Sequence, residues 1–232
     1  MSGITDLTIE EFQAKINRFE QSYVEDWNAW IEVLNNKPNE VAKEFGRILR
    51  KWQACRPNSM RRIADEAEHG APFLEDLINQ ASEPLRVICA IEMQSENVIT
   101  DEVTAAIYNM WYIFELLSYQ GRARNGLTGI VGISKAVLLL TEGRIGPAFD
   151  SQVSKKLQVG KINSAEEWVR RLKQVARDIS VFEQQNNCRL NEAAPGEHSM
   201  VHYGRLYDMT FGPGNEYAHK ESLHRTQVSP RR

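Results

Sequence analysis

The residues of this chain best suited to chemistry lie between Arg124 and Val153, in RNGLTGIVGISKAVLLLTEGRIGPAFDSQV. Gly126, Gly129 and Gly132 stand in a short connection ahead of the apolar run Ala136 to Leu140. Glycine there lets the backbone turn tightly and approach another surface without a Cβ in the way. A helix that starts just after such a turn directs unpaired N–H groups outward, and these suit a phosphate. At the far end Asp150 supplies a carboxylate. It precedes SQVSKKL, where it would cap a helix for about 1 kcal/mol. The same group could instead stabilise developing positive charge or activate a water. Both roles are open at this point, and they can coexist.

Elsewhere the reactive residue types lack a partner set. His198 and His202 are four apart, but no third ligand is evident, so no metal site is expected. Arg205 and Asp208, three apart, suit a helix-stabilising pair rather than an acid/base site. Cys55, Cys89 and Cys188 are odd in number and widely separated, which fits neither a disulfide framework nor a zinc or iron–sulfur ligand set. No cofactor is expected.

At 232 residues, 42% hydrophobic and 25% charged, the chain can bury a core without disulfides or metals and is neither disordered nor fibrous in composition. A net charge of −3 argues against a protein built only to coat nucleic acid. The distribution is uneven, however. Residues 1–45 hold nine acids and four bases, whereas residues 121–175 hold ten bases and four acids. A local phosphate-binding face and a solvated basic helix surface both fit that asymmetry. The run Ala136 to Leu140 is far short of the roughly 20 residues that cross a bilayer. The start, MSGITDLTIEEF, lacks the basic and apolar regions of a signal peptide. The expectation is a soluble, cytoplasmic protein with no membrane association.

The elements that must position Asp150 are helical. Ile9, Phe12, Ile16, Phe19 and Tyr23 recur at three and four, which predicts one amphipathic helix with Thr8 and Glu11 as its capping box. Further helices are expected at Pro38 to Trp52, Met60 to His69, Pro72 to Gln80, Pro84 to Met93, Ser164 to Gln184 and Val201 to Phe211. Asp101 to Gln120 is apolar all round and should be central to the core. NNCRLNEAAPGEH reads as a loop. No strand pattern and no internal repeat is evident. The fold class is therefore all-α, with residues 1–211 as one helical unit and 212–232 as a mobile tail.

The stretch from Leu127 to Val153 resembles the helix-hairpin-helix DNA glycosylase superfamily, which includes the adenine, thymine and 8-oxoguanine glycosylases. Members carry a Leu-Pro-Gly-Val-Gly hairpin, then Ala and an apolar helix, then a Gly-Pro loop, then an aspartate in a Val-Asp-Thr-His-Val context. The corresponding residues here are Leu127, Gly129, Ile130 to Gly132, Ala136 to Leu140, Gly146, Pro147 and FDSQV. The resemblance implies a two-lobed helical enzyme with the hairpin element between its lobes. It implies that Gly129, Val131, Gly132, Ser134 and Lys135 grip the DNA backbone. Asp150 becomes the catalytic carboxylate, facing the oxocarbenium character that develops when a glycosidic bond breaks. A base flipped out of the duplex needs an aromatic pocket, for which Trp111 is the candidate.

There are departures. Thr128 stands where the family has proline, and the glycine spacing is one longer. Counting back from Ala136, the lysine nucleophile of bifunctional members falls on Ser134. Lys135 lies one residue further on, about 100° around a helix. The four-cysteine cluster of some members is absent. The resemblance thus implies a monofunctional glycosylase acting on a damaged or modified base. A non-catalytic helix-hairpin-helix DNA-binding protein, and a helical interaction protein, are the alternatives.

Overall fold

The computed structural model describes residues 3–54, 71–117 and 127–214, and among these the secondary structure is helical, with one isolated antiparallel bridge between Phe19 and Gly214. The helices are α1 (Ile9–Asn17), α2 (Gln21–Asn36), α3 (Val41–Lys51), α4 (Ala71–Gln80), α5 (Ser82–Ile88) and α6 (Asp101–Phe114). After the second gap come α7 (Ile130–Leu140), α8 (Ser151–Lys156), α9 (Ala165–Asn186), α10 (Leu190–Ala193) and α11 (Tyr203–Phe211). The all-α expectation is met. No helix among the described residues is long and apolar enough to cross a membrane.

Local signals explain several helix starts. The Thr8 hydroxyl accepts from Glu11 N at 3.2 Å, and the Glu11 carboxylate accepts from Thr8 N at 2.9 Å, so the capping box opens α1. Ser164 caps α9 by accepting from Glu167 N. The helix expected to run through Tyr23 is instead broken at Arg18 to Glu20. There the chain turns to pair with the C-terminal segment, Glu20 N donating to Pro213 O at 3.0 Å. The apolar spacing carries across that break because α1 and α2 bury Phe12, Ile16, Trp27 and Trp30 in one shared cluster. Residues 212–214 are docked rather than part of a tail, since Lys156 Nζ also donates to Gly212 O at 2.8 Å. The remainder of that tail, the helix expected at Met60 to His69, Gly126 and Cys55 lie outside the described residues.

The centre of the core is α7, not α6. Helix α6 buries Val103, Ala106, Ile107, Met110, Trp111 and Phe114 but exposes Tyr112, so it has a solvent face after all. In α7 every residue from Gly132 to Leu140 is buried. Each fully buried aliphatic side chain there contributes roughly 1.5–3 kcal/mol. Helices α3 and α6 pack against α7, and Trp30 of α2 donates its indole N–H to Leu139 O at 2.8 Å. A lysine within such a helix must find a partner, and Lys135 does.

Candidate functional site

Lys135 is 5% exposed, and its Nζ donates to the carbonyl of Trp52 at 2.6 Å. The same Nζ lies 3.6 Å from Asp150 Oδ2, an ion-pair distance rather than a hydrogen bond. Asp150 is the N-cap of α8, where its Oδ1 accepts from Gln152 N at 2.9 Å and Val153 N at 3.0 Å. The two oxygens of one carboxylate are thus divided between a cap and an amine. Oδ1 caps α8 while Oδ2 faces the Lys135 amine.

The loop that delivers Asp150 is fastened at nearly every residue. The Thr141 hydroxyl accepts from Ile145 N, Asp208 Oδ1 accepts from Ala148 N at 3.0 Å, and the Ser134 hydroxyl accepts from Phe149 N at 2.9 Å. Arg205 N donates to Gly143 O at 2.8 Å, tying α11 to the same loop. Gly143 takes a φ of +82°, a backbone state that favours glycine. Gly146 and Gly204 pass so closely that a Cβ on either would overlap the other's backbone. The Gly146–Pro147 peptide in this loop is cis.

Behind Asp150 lies a buried ion pair. Arg205 NH1 donates to Asp208 Oδ2 at 2.6 Å, with its guanidinium over the rings of Phe19, Trp27 and Trp52. The pair is the helix-spaced one expected from sequence, but it is fully buried and joins α11 to the Asp150 loop. Burial pushes the Asp208 carboxyl above the usual carboxylate range; Arg205 opposes that rise and the nearby Asp150 charge adds to it. Tyr23 stacks on Trp52 at 5.3 Å between centroids. Burial first, then the carboxylates of Glu20, Asp150, Asp208 and Asp26, hold its phenol above the ordinary value.

The sequence-derived site is brought together only in part. Gly129 is exposed at the N-cap of α7 and Val131 is half-buried in the first turn. Gly132, Ser134 and Lys135 lie inside the helix and are buried. Gly132 is helical rather than part of the connection. Ser134 turns toward Phe149 N and its own helix, donating to Ile130 O, while Lys135 is the side chain beside Asp150. Trp111 packs on Trp168 of α9, at 6.1 Å between centroids, in the core. His198 and His202 face different carboxylates, Glu197 and Glu92, and no group that could hold a metal ion occurs among the described residues.

Sequence reasoning missed Trp52, Tyr23 and Asp26, which come from the acidic N-terminal third and reach the site only through the packing of α2 and α3. Their one signal was aromatic and acidic residues at helical spacing, which a core face shares. A cavity of about 550 Å³ between α2 and the approach to α11 is lined by Trp27, Glu197, His198, His202 and Arg205, and not by Lys135 or Asp150. No protein-family model matches this chain, and neither a curated protein nor a solved structure does.

Proposed function

We propose that this protein is a DNA N-glycosylase that removes a damaged or modified base, with Lys135 as the attacking amine and Asp150 as the charge-stabilising carboxylate. The observation that carries this reading is the approach of Lys135 Nζ to Asp150 Oδ2 while Oδ1 is held by the α8 cap. The ammonium gives up one proton to solvent, and the neutral amine attacks C1′ of the deoxyribose, its nitrogen then losing the proton that the departing base takes up. The glycosidic bond breaks, the base leaves with the bonding pair and takes up a proton, and Asp150 balances the positive charge that develops on the sugar. The exposed Gly129 at the start of α7 offers helix N–H groups to a backbone phosphate. In this reading Gly129 to Lys135 belongs to a helix-hairpin-helix element of a two-lobed enzyme. The aromatic residues beside this pair are Trp52, whose carbonyl takes the amine, and Tyr23, which packs on Trp52.

A second reading keeps DNA binding and drops catalysis. It is favoured by the cap geometry, which by itself accounts for an aspartate at position 150. The deciding experiment incubates the protein with duplexes and single strands bearing damaged, mismatched and naturally modified bases, with alkali to reveal abasic sites and borohydride to reduce any imine. The expected result is release of one modified base and a covalent protein–DNA adduct, the adduct being lost in Lys135→Met. Base release without an adduct would replace the amine by water, as in a monofunctional enzyme. Salt-sensitive DNA binding with no base released would establish the binding module.

A further inference from the structure

We propose that Asp26 is a positioning residue for the Lys135 amine and acts through Trp52. The proposal rests on the reading of Lys135 as the reacting group. Lys135 Nζ has two oxygen neighbours, Asp150 Oδ2 and the Trp52 carbonyl, and the shorter contact is to Trp52. Trp52 is the C-cap of α3, so its carbonyl is one of the acceptors that a helix end leaves without an intrahelical partner. Directly after it the chain turns sharply, with Gln53 at a φ of +52° and Ala54 N returning to Leu49 O at 2.9 Å.

What fixes the direction of that carbonyl is the Trp52 side chain. Its indole N–H donates to Asp26 Oδ2 at 3.0 Å in a buried contact, and both residues are nearly inaccessible, 3% and 4% exposed. The other oxygen, Asp26 Oδ1, takes Lys51 Nζ at 2.9 Å and Arg47 NH2 at 3.3 Å, both from α3. Asp26 thus binds α2 to the C-terminal turn of α3 through three donors. A buried carboxylate needs such partners, yet one cation would neutralise it. The added indole bond sets the turn whose carbonyl holds Lys135. Displacing that carbonyl frees the amine from one of its two anchors, and misplacement on the ångström scale is costly in a bimolecular step.

The test compares Asp26→Ala, Asp26→Asn and Trp52→Phe. Asparagine retains an oxygen to accept the indole N–H, and phenylalanine retains the ring while deleting that N–H. Two readouts are taken. The first is the rate of borohydride trapping on a duplex with a preformed abasic site, under single turnover and saturating protein, together with the DNA affinity. The second is the ammonium resonance of Lys135 in protein carrying nitrogen-15 lysine, assigned by its loss in Lys135→Arg. Asp26→Ala and Trp52→Phe are expected to slow trapping roughly tenfold or more at unchanged affinity and to shift or broaden the resonance, with Asp26→Asn keeping both. Parent-like trapping and resonance in Trp52→Phe would overturn the proposal. Equal losses in Asp26→Asn and Asp26→Ala would also overturn it, because the charge and not the indole bond would then matter. Absence of trapping in the parent protein counts against the proposed function alone, since the resonance still decides whether Asp26 positions the amine.

Discussion

At Asp150 one carboxylate serves two neighbours with different oxygens, and substitutions can separate them. Asparagine caps helices about as well as aspartate, whereas alanine costs about 1 kcal/mol. Asp150→Asn is therefore expected to keep the α8 cap, losing only the charge that faces Lys135, while base release falls about 100-fold or more. Asp150→Ala is expected to lose both. Calorimetry alongside the excision assay checks this, and full activity in Asp150→Asn would reduce the residue to a cap. Lys135 makes the complementary case. Its amine is buried between a carbonyl and a carboxylate, so Lys135→Met should leave DNA binding in place and abolish the borohydride adduct.

Helix α7 and the loop behind it hold Asp150 through acceptors aimed at backbone N–H groups. Ser134→Ala removes the hydroxyl that accepts from Phe149 N and leaves that buried N–H unpaired. The expected loss is about 1–3 kcal/mol. Activity should fall with it and DNA affinity should not, because Ser134 is only 2% exposed. Gly204→Ala places a methyl against the backbone of Gly146, where nothing flexible can yield. A denaturant titration should show destabilisation of about 1–3 kcal/mol. An unchanged midpoint in Gly204→Ala would mean that the Asp150 loop is held more loosely than this packing implies.

Across the whole molecule, buried phenols couple the fold to pH. Burial, together with Asp178, holds Tyr207 well above the ordinary tyrosine value; burial with a Glu183 hydrogen bond does the same for Tyr203, and burial with several carboxylates for Tyr23. These groups lose their proton more readily when unfolded. Their stabilisation is complete below the unfolded pKa of about 10 and declines as pH rises past it. Denaturant midpoints are expected to fall steeply above that pH. Tyr207→Phe, which deletes the hydroxyl that donates to Asp178 at 2.7 Å, should flatten the slope while lowering stability at neutral pH. An alkaline profile identical in Tyr207→Phe and the parent would refute this assignment.

Helix class and several caps were legible in the sequence because they depend on neighbours within a few turns. The 3.6-residue period, the Thr8 and Glu11 box and the Asp150 cap are local properties of that kind. The division of labour between Ser134 and Lys135 was not legible, since adjacent helix positions differ only in direction and the surroundings of α7 decide which one meets Asp150. Nor were Trp52, Tyr23 and Asp26. They lie about a hundred residues from Lys135 and Asp150, and what brings them there is the packing of α2 and α3 against α7. The sequence by itself determined that the chain is helical and that a carboxylate would stand at the head of a helix. Only the tertiary structure decided that a buried amine faces it, because burying a charge in a core helix is tolerable only where distant elements supply its oxygens.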